Sequence, residues 1–320
     1  MHQLIVSASP HLRAADSTRG IMLDVILALL PAGAAAVVLF GWRSLLVMAV
    51  CVAAAVLSEY ISRKIMRRDT TIGDLSAVVT GLLLAYNLPV TIPLWMAALG
   101  SAISIIVVKQ LFGGLGQNFV NPALIGRIVL MMSFTAAMSQ WTLPLAQQTV
   151  DAVTSATPLA IAKAGDSAQM PELMELFLGR HAGSLGETCA LALLLGGVYL
   201  CIRRVITPLV PVVFVCTTGL LTFLAGYNPL EQILSGGLLL GAIFMATDYA
   251  TTPINWKGKL IFAVGCGAIT AFIRIFSSLP EGVSFSIIIM NIVTPHIDRL
   301  TIGKPFGSRK PERQAQQHEN

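Results

Sequence analysis

Asp151-Ala152-Val153-Thr154-Ser155-Ala156-Thr157-Pro158-Leu159-Ala160 lies near the start of the longest break between strongly apolar segments, which runs from about residue 140 to 187. Everything before and after that break reads as membrane helix, so the stretch divides an otherwise apolar chain in two. Small hydroxyl and alanine residues bounded by Asp151 and Pro158 make a compact, polar, glycine-free turn suited to a membrane face.

Composition leads to the same class. The chain has 320 residues, of which 55% are hydrophobic and 12% charged, with a mean hydropathy of +0.76. A soluble domain carries about 25% charged residues. The fold class is therefore all-α: a polytopic transmembrane helical bundle in a lipid bilayer. The formal charge of +5 does not indicate nucleic acid as a partner. Such a binder clusters Lys and Arg with aromatics on one polar face, whereas here the basic residues punctuate the ends of apolar runs. Cysteines at 51, 189, 201, 216 and 266 sit in or beside those runs without CxxC spacing and read as small buried hydrophobes.

About ten spans are expected, each near the length of about 17–25 residues that crosses a bilayer. Residues 1–21 form a cytoplasmic leader, 22–139 a first membrane half of about five spans, and 140–187 a periplasmic loop. Residues 188–298 form a second half of about five spans, and 299–320 a cytoplasmic tail. The first apolar run leads directly into another and reads as a retained helix. With both termini inside, the inner segments hold most of the basic residues, including Arg63, Lys64, Arg67 and Arg68, while Arg43, Lys163 and Arg180 fall outside. This orientation satisfies the positive-inside rule and puts Thr157 on the periplasmic side. An internal echo sets Thr80-Gly81-Leu82-Leu83 with Tyr86-Asn87 against Thr218-Gly219-Leu220-Leu221 with Tyr227-Asn228, as a duplicated transport fold would show.

Metal and nucleotide motifs are missing: there is no HExxH, no P-loop, and the Gly113-Gly114-Leu115-Gly116 piece has no strand before it. Asn118 and Asn121 flank the start of a membrane segment. Their amides can hold an ion, a quinone carbonyl or an isoalloxazine edge, and can equally satisfy orphan backbone groups. Asp248, after an apolar helix, fits an ion pathway or an interfacial cap. Thr157, flanked by Ser155, Ala156 and Pro158, can accept a cofactor phosphate as a phosphoester or simply cap a helix.

The loop motifs extend the reading. Gly73-Asp74-Leu75-Ser76, Gly116-Gln117-Asn118 with Asn121-Pro122-Ala123, Asp151 through Leu159, and Phe244-Met245-Ala246-Thr247-Asp248 occur in one order along residues 20–305. With these the chain resembles the D subunit of the Rnf-type electron transport complex, related to the B subunit of the sodium-pumping NADH:quinone oxidoreductase. Only about 20 residues precede the first span, which favours the Rnf type over its longer relative. The resemblance implies FMN joined covalently by a phosphoester to Thr157, with Ser155 and Ala156 beside it and Thr154 as the rival acceptor. The glycine usual in the family's Ser-Gly-Ala-Thr signature is absent here. It also implies a second, noncovalent flavin such as riboflavin within the helices, with no contacts assigned to it; Asn118 and Asn121 remain cofactor-binding candidates on their own chemistry. Implied partners are the A, B, C, E and G subunits, especially the FMN-bearing G subunit, and a flavin transferase during maturation. The implied activity is electron exchange between NADH and ferredoxin coupled to movement of sodium ions or protons. The competing reading is a secondary transporter or channel-like protein without a covalent cofactor; a third is a purely structural subunit.

Overall fold

The computed structural model describes residues 17–147, 155–165, 170–277 and 281–303, so Asp151, Thr154 and most of both termini lie outside the described residues. Helix α1 (Thr18–Phe40) starts where Ser17 Oγ accepts the Gly20 N–H at 3.1 Å, and stops at Gly41, whose φ of 79° suits a residue without a side chain. Helix α2 (Trp42–Ile65) runs back and ends in the basic residues Arg63 and Lys64. Both are apolar around most of their circumference, and Leu30, Val38, Leu45 and Leu57 stay exposed. A helix apolar on every side needs lipid rather than water around it.

The next elements are shorter. Leu75 takes a left-handed conformation (φ 62°), uncommon for a leucine, and turns the chain into α3 (Ser76–Tyr86). Helix α4 (Leu94–Ile103) passes directly into a π-helical stretch, Ser104–Gln110. Asn121 caps α5 (Pro122–Ser133) and Pro122 fills its first position, where no N–H is needed. Then follow α6 (Thr135–Met138), α7 (Pro158–Ala164), α8 (Leu173–Leu178), α9 (Ala190–Ile202), α10 (Leu209–Leu224) and α11 (Pro229–Leu234). Gly236, left-handed at φ 68°, leads into α12 (Leu238–Leu240), which becomes a π-helical stretch over Gly241–Met245. Helices α13 (Trp256–Phe276) and α14 (Val283–Thr301) complete the order.

The all-α, polytopic expectation holds, but the expected ten spans do not emerge as ten long helices. Among the described residues three helices, α1, α2 and α13, are long and apolar enough to cross a membrane. Over 75–109 the chain turns after Tyr86 and leaves two short helices, and the apolar run over 232–247 is broken at Ser235 and Gly236. Hydropathy measures how apolar a run is, not whether its backbone stays helical. The cysteine expectation also needs one amendment, because Cys216 is exposed although Cys51 and Cys266 are buried.

Close packing holds the short helices against the long ones. Helix α2 lies along α3 and α4, α1 along α9, and α13 between α10 and α14. At Gly81 a Cβ would stand 2.9 Å from both the Cys51 carbonyl oxygen and the Val52 Cα, so α3 rests on the backbone of α2. Tyr86, at the end of α3, is fully buried and donates its hydroxyl to the Leu29 carbonyl of α1 at 2.8 Å. The expected echo pairs α3 with α10. In the fold the element that resembles α3 is α12 with its π-helical stretch: each is short, buried and entered through a left-handed residue.

Candidate functional site

The carboxyl ends of these two short helices come together. Asn87, just after α3, donates to the Leu83 carbonyl at 2.6 Å and lies 3.8 Å from the Met245 sulfur. Asn121 donates through Nδ2 to the Met245 carbonyl at 3.3 Å, while its Oδ1 accepts the Ala123 N–H. Two helix C-termini, each with a partial negative charge, thus face one buried region, their last carbonyls accepting from Asn87, Asn121, Thr247, Thr252 and neighbouring backbone N–H groups. Arg127, one turn into α5, answers that charge by donating to Asn87 Oδ1 and Ser284 Oγ, both at 2.9 Å.

Buried charge is placed beside both ends of α3. At its start, Lys109 Nζ donates to Glu59 Oε2 at 2.8 Å and to Ser76 Oγ at 2.6 Å, and the Thr71 hydroxyl donates to Glu59 Oε1. Lys109 and Glu59 are essentially inaccessible. At the far end, roughly 15 Å along a helix of this length, Arg127 pairs with Glu281, and Glu281 Oε1 accepts the Gly237 N–H at 2.7 Å ahead of α12. Glu187 faces the same glycine, because a Cβ on Gly237 would stand 3.1 Å from Glu187 Oε2. Arg274, at the end of α13, donates to the carbonyls of Gln232 at 2.6 Å and Ser235 at 3.3 Å.

This second cluster is incompletely satisfied. Glu187 Oε1 accepts the Ser184 N–H at 3.1 Å, but Glu187 Oε2, Arg274 Nε, His181 Nε2, Ser184 Oγ, Thr188 Oγ1 and Ser235 Oγ have no hydrogen-bond partner among the described residues. Burial, together with the Glu281 carboxylate, pushes the Glu187 carboxyl up to about 7, against the pull of Arg127. Burial likewise pushes the His181 imidazole down.

The expected site residues fall into two separate groups. Asn118 and Asn121 line a cavity with Ser76, Thr80, Lys109 and Asp248, walled by Met22, Val25, Leu83 and Phe244. Asp248 also caps its own turn, accepting from the Ala250 N–H at 3.4 Å and the Thr251 hydroxyl at 3.3 Å, as the capping alternative expects. Ser155, Ala156 and Thr157 sit elsewhere, beside the second cluster: Leu159, two residues on, occupies the space next to Gly236. Ser155 and Ala156 line a cleft with Pro158, Glu175, Arg180 and His181. Sequence reasoning passed over Glu59, Glu187 and Glu281 as chemistry. The signal for Glu59 was present: a carboxylate inside an apolar run has to find a partner.

Comparison with known proteins covers nearly the whole chain. The model of the "NQR2, RnfD, RnfE family" matches residues 5–307. The chain belongs to that family. It is 46% identical to the D subunit of the Na(+)-translocating ferredoxin:NAD(+) oxidoreductase complex of Acetobacterium woodii, over 98% of each chain. It is 44% identical to the D subunit of the proton-translocating ferredoxin:NAD(+) oxidoreductase complex of Clostridium ljungdahlii, over 95% of this chain and 96% of that one. The D subunit of an ion-translocating oxidoreductase complex from Alcanivorax borkumensis is 37% identical over 97% of this chain and 98% of its own. RnfD-family membership makes the chain a multi-pass bacterial inner-membrane subunit of an ion-translocating oxidoreductase complex.

The cofactor expectation is corrected. The matched relatives are D subunits, distinct from the G subunit to which the resemblance assigned FMN, and their names carry no flavin. The Thr157 hydroxyl is already engaged as the N-cap of α7, accepting the Ala160 N–H at 3.3 Å, and Pro158 follows at the first helical position. This is the capping alternative read from the sequence; it is the identity as a D subunit that argues against covalent FMN on this chain. The flavin transferase inferred from that linkage is withdrawn with it, and so is the second flavin. Asn121 is committed to backbone groups at both ends of its amide, and Asn118 Nδ2 donates to the Val120 carbonyl at 3.1 Å.

Proposed function

We propose that this chain is the part of an Rnf-type complex in which electron transfer between ferredoxin and NAD is tied to ion movement, with the ion passing between the cavity lined by Asp248, Asn118 and Asn121 and the cluster of Glu281 and Glu187. One observation carries the reading: the C-terminal ends of two short helices converge on Asn87, Asn121 and Met245 inside the bundle. Converging helix C-termini attract a cation without a full negative charge in the membrane. Asp248, Asn118 and Asn121 form the entry on one side, and Glu281 with Glu187 forms the exit on the other. The two halves of the chain, each with one such broken helix, are related by duplication. Both termini lie in the cytoplasm with Thr157 on the periplasmic side, as the basic residues favour. The A, B, C, E and G subunits are the partners. The full-length likeness to D subunits favours this reading over a stand-alone transporter.

The test is ion uptake by the complex reconstituted in vesicles, driven by reduced ferredoxin and NAD, with sodium and proton uptake followed separately. Asp248→Asn and Glu281→Gln are expected to lower ion uptake per NADH formed by about tenfold or more, the scale on which loss of a buried charge alters affinity. Unchanged uptake per NADH in both variants defeats the proposed path.

A further inference from the structure

We propose that the end of the bundle carrying the basic run 63–68 holds the phosphodiester of an anionic phospholipid between Arg63, Gln110 and the glycine turn that follows Gln110. Arg63, near the end of α2, is only 9% exposed, yet its guanidinium has no hydrogen-bond or carboxylate partner among the described residues, and its Nε is fully enclosed. Glu59, one turn earlier, does not serve, since Thr71 and Lys109 take its two oxygens. Gln110 is wholly buried, and neither atom of its amide has a partner among the described residues.

Both side chains converge on Gly114. Its φ of 108° is open to glycine, and a Cβ there would run into Arg63 Nη2 and come within 4.0 Å of Gln110 Oε1. A buried cation and a buried amide left without partners are costly, and an anion accepting from both removes that cost. The guanidinium fork fits two oxygens of a phosphate, and the Gln110 amide, unpartnered at both Oε1 and Nε2, donates to a third once it turns Nε2 toward the site.

The surroundings select a lipid over a soluble phosphate. Ile61, Ile65, Leu111, Phe112 and Phe119 are exposed around the site, with Phe112 and Phe119 edge to face at 4.9 Å. Acyl chains would cover these side chains. Lys64, Arg67 and Arg68 follow in the same run and attract an anionic headgroup.

Native mass spectrometry of the purified complex, given equal phosphatidylglycerol and phosphatidylcholine, tests the site. The wild type is expected to retain phosphatidylglycerol about tenfold more than Arg63→Ala, the scale of one charge-assisted double contact. Lys64→Ala stays within about twofold of wild type, because an exposed charge contributes little. Equal retention by Arg63→Ala and wild type overturns the proposal, and so does retention of phosphatidylcholine equal to that of phosphatidylglycerol. Displacement of the lipid by millimolar inorganic phosphate overturns the choice of a lipid as the source. If Arg63→Ala fails to assemble, Arg63→Lys carries the test: it keeps charge and stem but loses the fork, so retention falls about threefold, and unchanged retention overturns the assignment.

Discussion

Beside Ser76, Lys109 and Glu59 form a pair in which every carboxylate oxygen has a donor and the ammonium reaches two acceptors. Beside Asn87, at the other end of the same helix, two arginines meet two glutamates, and buried atoms of Glu187 and Arg274 are left without partners among the described residues. The first site costs desolvation and returns it in fixed geometry, as a structural ion pair does. The second keeps a spare carboxylate oxygen and a carboxyl that burial pushes upward, the features expected of the proposed ion path. Burial alone does not separate a structural charge from a working one; the state of its hydrogen bonds does.

The largest effect is expected at the closed pair. Lys109→Met leaves Glu59 buried and uncompensated, which costs about 3–5 kcal/mol. Thermal unfolding of the detergent-solubilised complex should show it, and Glu59→Gln added to Lys109→Met should restore most of the loss. A single variant as stable as wild type would erase the contrast between the ends.

The open cluster should reveal itself through pH. The Glu187 carboxyl moves from its ordinary 4.5 up to about 7 in the folded chain. Between those values the folded state holds a proton that the unfolded state has released, so stability falls as pH rises through the window and levels off above it. His181, depressed by burial, acts in the opposite sense, with stability rising as pH climbs toward its ordinary value of 6.5. Arg127, Arg274 and Glu281 face the same cluster, so the informative quantity is the difference between wild type and Glu187→Gln. A variant with the wild-type slope would remove Glu187 from the account.

Smaller effects follow. Gly237→Ala drives a methyl group into the Glu281 and Glu187 carboxylates, and should cost about 1–3 kcal/mol and shift the pH profile as well. Thr157→Ala removes one capping bond of a seven-residue helix. About 1 kcal/mol is expected, readable as faster amide exchange over Pro158–Ala164, with no change at Lys109.

The sequence made some of this legible and concealed the rest for physical reasons. Helices α1, α2 and α13 carry apolar residues on all faces over more than twenty positions, and such runs announce themselves. The break before α12 does not, since Ser235-Gly236-Gly237 sits inside an apolar run that reads as continuous. Thr157 as a helix cap was readable from Thr-Pro alone, and the covalent reading rested on family likeness rather than on the residues. Lys109 reads in sequence as one more topology-setting charge. Its bond to Glu59 joins residues fifty positions apart, and nothing local in either segment points to the other.

The π-helical stretch over Ser104–Gln110 gives that bond an arithmetic basis. A wide turn holds one residue more than an α-turn, and one residue on an α-helix is worth about 100° of rotation. Lys109 lies within the stretch, so its aim at Glu59 depends on how many residues precede it as well as on which ones they are. Deleting a single apolar residue such as Ile106 would leave composition and hydropathy almost unaltered and swing the ammonium toward lipid. In this chain, charge is positioned by counting.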